Sequence, residues 1–395
     1  MAKTPASHAS EPTVQWIDST HDLKDFCDHA KAHPIVAVDT EFHRERTYYA
    51  QLALVQLRAG DRMVAVDPLA DIDLQPLYDL LQDDDVLKVL HAAKQDAEIF
   101  LHAMKTPMAP VFDTQVAAAL LGYGEQVSYG FLVEKLTGVA LDKLHGRSDW
   151  MRRPLDKAVV DYAIDDVRYL PEMHARLQSE LDDKGRRTWL DEEQADLTDA
   201  SKLVTNPDEA WRKIKGAGKL KGKSVVVAQQ VTAWRERMAM KRDLPKRHVL
   251  ADNIVIDLAR QRPKELKQMD RMRGFDDGAK RRYGKELLAC IREAEGIAPE
   301  LWPAPKESKP RRVDDALVSC LWAVVELQAR ENDISPQLLV SKGDLQKLAA
   351  QEEDIDVLAG WRRDLVGERL LAFLAGEVVL GVSGRKAQLQ ASSEA

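Results

Sequence analysis

The chain has 395 residues, 45% apolar and 31% charged, a globular composition at a length that predicts two or three domains and excludes a disordered, collagenous or disulfide-built protein. The formal net charge of −8 hides an asymmetry, because residues 211–285 carry 22 Lys/Arg against 8 Asp/Glu and leave −22 on the rest. Such a split predicts one part that holds a polyanion and another with a different task.

Residues 1–12 read as a flexible tail without the apolar core of a signal peptide. No run approaches the roughly 18 apolar residues of a membrane span, so a cytoplasmic protein is expected. Ile35–Asp39 is an apolar run that ends in acid and predicts a strand, the first of the domain. Gln51–Leu57 and Arg62–Asp67 follow as strands in hairpin-like succession. A helix is expected over Leu74–Gln82, a strand over Val86–Leu90, and helices over Gln95–Met104 and Thr114–Gly122, with Gly122 as C-cap. One long helical pattern spans Leu155 to Lys184. Strands next to alternating helices and strands predict an α/β layer fold with a mixed sheet.

After Leu203 the pattern becomes helical. Leu203–Ile297 reads as four or five short helices, including Val225–Val227. Pro299–Pro310 holds four prolines in twelve residues and marks a linker. Residues 313 to about 384 again read as helices. The expected organisation is a tail (1–12), an α/β domain (13–200), a helical domain (206–292), a linker (293–312), a second helical domain (313–385) and a tail (386–395). Gly216–Ser224 resembles a phosphate-binding loop, but position 217 is alanine where glycine is required, and no apolar strand precedes it. Cys27, Cys290 and Cys320 are far apart and form no CxxC pair, which argues against a cysteine metal site.

Three acidic features carry chemistry. On a strand, Asp39 and Glu41 share one face about 7 Å apart along the chain. Ile35 and Ala37 share that face, so an apolar line turns acidic. Two such carboxylates repel unless a cation neutralises them; the alternative is a strand that simply ends in solvent. Asp96 falls in the first turn of the helix after Leu90, where the helix dipole alone accounts for a carboxylate. Tyr162 and Asp166 are spaced i, i+4 on a helix and stack on one face. Asp165 lies about 100° away and is expected to be exposed near Arg168 or Tyr169.

Together, Asp39-Thr40-Glu41-Phe42, Tyr48–Leu57, Asp149-Trp150 with Arg153-Pro154-Leu155, and Tyr162–Leu170 resemble the ribonuclease D family of DEDDy exonucleases. The resemblance covers about residues 14–190 and matches five of five chemical positions: Asp39, Glu41, Asp96, Tyr162 and Asp166. It implies a ribonuclease H-like α/β domain followed by two small all-α domains. Trp234–Pro245 through Val249–Asn253 and Ile256 resembles the HRDC domain within 206–292, and 313–385 would be a diverged second copy.

The implied activity is a metal-dependent 3′→5′ exoribonuclease that trims tRNA precursors and other small structured RNAs as a monomer. Four acids without clustered His or Cys suit two divalent cations, Mg²⁺ or Mn²⁺, about 3.5–4 Å apart. The resemblance implies that Asp39 bridges both, Glu41 and Asp166 hold the one that activates water, and Asp96 supports the other. Tyr162, with an ordinary pKa of about 10, orients the water and is not a strong base. Phe42, Tyr48, His91 and Lys94 are candidate substrate contacts, as are His145 and Arg147, and the basic helical domain is expected to supply RNA affinity. The rival readings are a DNA-directed 3′→5′ exonuclease and a non-catalytic RNA-binding scaffold.

Overall fold

The structure is a computed structural model that describes residues 13–141, 148–270, 272, 274–303, 313–352 and 354–392. The expected N-terminal tail, His145, Arg147 and most of the proline-rich linker lie outside the described residues. The chain divides into two compact units, one of residues 1–42, 52–203 and 310–395, the other of 43–51 and 204–309.

The first unit is built on a six-stranded sheet. Its elements begin β1 (Thr13–Ile17), α1 (Thr20–Ala30), β2 (Ile35–His43), β3 (Gln51–Ala59), β4 (Arg62–Val66), α2 (Gln75–Leu81), β5 (Leu87–Leu90), α3 (Lys94–Met104) and β6 (Val111–Asp113). There follow α4 (Thr114–Leu120), α5 (Tyr129–Thr137), α6 (Lys157–Arg168), α7 (Leu170–Asp183), α8 (Arg187–Gln194) and the single turn α9 (Ala200–Leu203). The strand order is β1-β4-β3-β2-β5-β6. β3 and β4 are antiparallel, whereas β1–β4, β2–β5 and β5–β6 are parallel, so the sheet is mixed as expected.

Alternation along β2 sorts its side chains into two cores. Val36 and Val38 pack with Leu23, Phe26, Leu77 and Phe100 on the α1–α3 side. Ala37 packs with Phe112, Leu120, Val167 and Leu170 on the other.

The strand differs from expectation in two ways. It is preceded by β1, and it runs on through Asp39 to His43. The acids therefore sit within a strand whose neighbour β5 stops early: the last β2–β5 pairing is Ala37 with Val89, two residues before Asp39. The carboxyl ends of parallel strands are the usual location of sites in sheets of this kind.

The pattern read as one helix from Leu155 to Lys184 is two helices, α6 and α7, that meet at Tyr169. Pro171 explains the break, since proline is tolerated only in the first turn of a new helix.

The C-terminal segment comprises α15 (Asp315–Glu331), α16 (Pro336–Leu339), α17 (Lys342–Ala349), a helical stretch over residues 360–374, and a hairpin, β7 (Val378–Ser383) with β8 (Lys386–Ala391). The hairpin replaces the helix and tail expected there. Leu321, Val324, Leu345 and Leu370 share one buried core with Leu120, Leu177 and Leu190 of the sheet's helices. Arg186 donates to the carbonyls of Leu120 and Asn332, Arg362 is paired with Glu193, and Trp189 stacks on Trp361 at 4.6 Å. Gly122, just past α4 with φ +88°, lies so close to Asp333 that a Cβ there would be 2.2 Å from its carbonyl oxygen.

The second unit has its own core. Between α9 and α15 it contains α10 (Lys223–Arg242), α11 (Lys246–Val249), α12 (Asp252–Gln261), α13 (Leu266–Met269) and α14 (Asp277–Glu295). Two of these are long, of 20 and 19 residues, where only short helices were expected. Val226, Val227, Val231, Ile254, Leu258, Tyr283 and Leu287 form the core. Trp211–Lys213 belongs to a single 3₁₀ turn and not to a strand, consistent with the rejection of a phosphate-binding loop.

Because the C-terminal segment completes the first unit's core, Leu321→Ala is expected to cost about 2–5 kcal/mol. Denaturant unfolding should show this as a shift of the first unit's whole transition. A separate, early transition confined to the C-terminal segment would contradict the shared core.

Candidate active site

Asp39 and Glu41 project from β2 on one face, and α6 brings Asp166 to them. One carboxylate oxygen from each of these three residues lies within 4.8 Å of the others, the one such acidic group among the described residues that could hold a metal ion. Tyr162 sits one turn before Asp166 on α6, as the i, i+4 spacing predicts. Asp165 turns away and accepts from Arg168 Nε at 2.6 Å, also as expected.

Asp96 stands apart from the trio. It is 6% exposed in the first turn of α3 and accepts a hydrogen bond from the Thr40 hydroxyl. It does not act as the helix cap: the residue at that position is Ala93, with no side-chain cap. Its charge still reaches the trio, where it is the largest charged contributor to the shift of Asp39.

The electrostatics are those of buried, crowded acids. Burial, followed by Asp96, Asp166 and Glu41, pushes the Asp39 carboxyl well above the usual range. Burial, with Asp166 and Asp96, raises Glu41 to about 8. Burial and Asp165 raise Asp166 to about 7, and burial raises Asp96 to about 6 against the opposing hydrogen bond from Thr40. Burial, then Asp166, Glu41 and Asp39, raise the Tyr162 phenol above 10. All the donors are oxygen, which suits a hard divalent cation.

Several positioning residues were not legible in the sequence. The Tyr129 hydroxyl donates to the Asp165 carbonyl at 2.7 Å and accepts from the Tyr169 amide at 3.2 Å, fixing the end of α6. Arg58 of β3 donates to the Arg168 carbonyl and to both Glu172 oxygens at 2.9 Å. Asp113 accepts from the amides of Ala92 and Ala93, at 3.0 and 2.8 Å, while capping α4. It thereby holds the loop that leads into Asp96. An Asp before a helix signals a cap, but its second pair of bonds joins residues some twenty positions apart. Arg153, within the matched segment, chelates Asp67 with two bonds of 2.7 Å.

The candidate substrate contacts are placed unequally. His91 bonds Thr114 Oγ1 at 2.9 Å and the Val127 carbonyl at 3.0 Å, and burial lowers its pKa, so both ring nitrogens serve the protein itself. The Tyr48 hydroxyl bonds Glu236 at 3.3 Å and its ring packs on the second unit's core. Phe42 is half-buried near the end of β2, and Lys94 is exposed at the start of α3.

These carboxyls hold protons more tightly in the folded chain than in the unfolded one. Metal-free stability therefore falls as pH rises from the ordinary carboxylate range toward about 8. A divalent cation removes that penalty by replacing the protons. Its increase in Tm is expected to be larger at about pH 8 than at about pH 5.5, as calorimetry can measure. Equal increments at both pH values would contradict the crowding.

Known proteins resemble the chain over most of its length. Residues 14–182 match the 3′-5′ exonuclease family and 225–291 the HRDC domain. The chain is 38% identical over 394 residues to ribonuclease D of Granulibacter bethesdensis, covering 98% of this chain and 99% of that one. It is 37% identical over 382 residues to ribonuclease D of Nitrobacter hamburgensis, covering 95% and 99%. The crystal structure of Escherichia coli RNase D, described as an exoribonuclease involved in structured RNA processing, superposes with a TM-score of 0.80 at 31% identity, covering 92% and 99%. The chain belongs to the ribonuclease D family of 3′→5′ exoribonucleases.

Proposed function

We propose that this protein removes nucleoside 5′-monophosphates one at a time from RNA 3′ ends, by hydrolysis that depends on two divalent cations. Its substrates in this reading are tRNA precursors and other small structured RNAs. The observation that carries it is the trio Asp39, Glu41 and Asp166, with oxygens within 4.8 Å and carboxyl pKa values raised by burial and by neighbouring carboxylates.

Asp39, Glu41 and Asp166, with Asp96, are the residues that would hold Mg²⁺ or Mn²⁺. When bound, such ions supply a water ionised near neutral pH and offset charge on the leaving 3′-oxygen. Asp39, at the centre of the carboxylates, is the ligand proposed to be shared. Thr40 orients Asp96 by donating to it.

Tyr162 keeps its proton, since its pKa is pushed above 10, and so orients the attacking water by hydrogen bonding without acting as the base. Phe42 and Lys94 are proposed to contact the terminal nucleotide by stacking and by charge. No described helix is long and apolar enough to cross a membrane. Cytoplasmic location and a monomeric state belong to the same proposal.

Tyr162→Phe is expected to lower kcat by about a hundredfold through misplaced water, with divalent-cation affinity nearly unchanged in calorimetry. A collapse of cation affinity in that variant would assign Tyr162 to metal binding. Parallel digestion of matched RNA and DNA strands separates this reading from a DNA-directed exonuclease.

A further inference from the structure

The loop between β2 and β3 packs within the second unit. Its backbone amides at Tyr48 and Tyr49 both donate to Asp243 Oδ1 at 3.0 Å, and the Tyr48 hydroxyl bonds Glu236. Beneath these contacts lies a buried ionic network. Glu236, 1% exposed, accepts from Arg235 Nη2 at 3.3 Å, and Lys246 Nζ lies 3.7 Å from it. Arg235, 2% exposed, also donates to Asp252 at 2.6 Å and to the Leu250 carbonyl at 3.1 Å. Buried charges of this kind add little net stability; they fix geometry.

The geometry they fix is a cleft of about 940 Å³. One wall is Arg44–Tyr48, the other Pro245–His248, and Thr205, Ala251 and Asp252 complete it. Arg44, Arg46, Lys246 and Arg247 are all exposed along it. Arg235 and Lys246 balance Glu236 and Asp252 within the network, so the rim of the cleft carries Arg44, Arg46 and Arg247 with Glu45. The cleft is too roomy for a single small anion, near the upper end of small-molecule sites. Its one phenolic ring, Tyr48, is engaged with the second unit's own core and with Glu236.

We propose that this cleft grips the sugar–phosphate backbone of single-stranded RNA, by charge and independently of base sequence. The ionic network under it keeps the two cationic walls at a fixed spacing. The β2–β3 loop, which follows directly on Asp39 and Glu41 in the chain, is then part of the RNA-holding surface and not only a connection. The proposal rests on the exoribonuclease reading only for the identity of the ligand.

The test compares the full-length protein with the double variant Arg46→Ser/Arg247→Ser, both at exposed positions outside the acidic site and outside the buried ionic network. Anisotropy of a labelled single-stranded RNA, titrated across salt concentrations, gives affinity and salt slope, and digestion gives kcat and KM. Each lost phosphate contact reduces the log–log salt slope by about 0.7, so the double variant is expected to lose about 1.4. Affinity should fall about tenfold or more, KM should rise in step, and kcat at saturation should not change. RNAs of different base sequence should be affected alike. A salt slope equal to wild type would overturn the proposal, and so would a fall in kcat as large as the rise in KM. Wild-type protein that binds RNA with the expected slope but releases no nucleotides would sink the exoribonuclease reading and leave the cleft standing.

Discussion

Burial of Asp39, Glu41 and Asp166 side by side is the constraint around which the catalytic unit is organised. Burial raises the proton affinity of all three carboxyls, and neighbouring carboxylates raise it further. A fold that served stability alone would not place them together. The arrangement persists because its supports are independent of the acids. β2 is held by two hydrophobic cores, and the end of α6 is held through its backbone by Tyr129 and Arg58. The strain of crowding is thus held by parts that do no chemistry, and it becomes affinity for a divalent cation when one is present.

That scaffold extends far along the chain. The core behind α4, α7 and α8 is closed by residues after 313, so the segment expected to be a separate helical domain contributes to the rigidity of the unit that carries the acids. The second unit is organised differently. Its centre is an apolar helical core with an ionic network at one edge, and it holds the 43–51 loop by hydrogen bonds from two backbone amides to Asp243. Removing everything after residue 206 would open the catalytic unit's own core as well as the basic one, so single exposed substitutions are the cleaner probe of RNA affinity.

The sequence made local geometry legible. Strand alternation put Asp39 and Glu41 on one face, and helical spacing stacked Tyr162 over Asp166 and sent Asp165 outward to Arg168. The mixed sheet was also readable. What remained hidden depends on contacts distant in sequence. Thr40 reaches Asp96 across 56 positions, Arg186 reaches Asn332 across 146, and neither pairing leaves a periodic trace. Short elements such as β1 and β6 were missed because five and three residues carry too little pattern. The break at Tyr169 could have been found, since Pro171 announces it. The terminal hairpin could not, because Gly381 and Gly384 lie among residues whose exposure gives no clear alternation.

The central claim, that these crowded acids run stepwise hydrolysis from an RNA 3′ end, is tested most directly on 5′-end-labelled RNA. The wild-type protein with Mg²⁺, the same with EDTA, and the Asp39→Asn variant with Mg²⁺ are compared on one gel. The account predicts a ladder shortening one nucleotide at a time only in the first, with mononucleotides as the released product. Internal fragments, or the same ladder from Asp39→Asn, would contradict it.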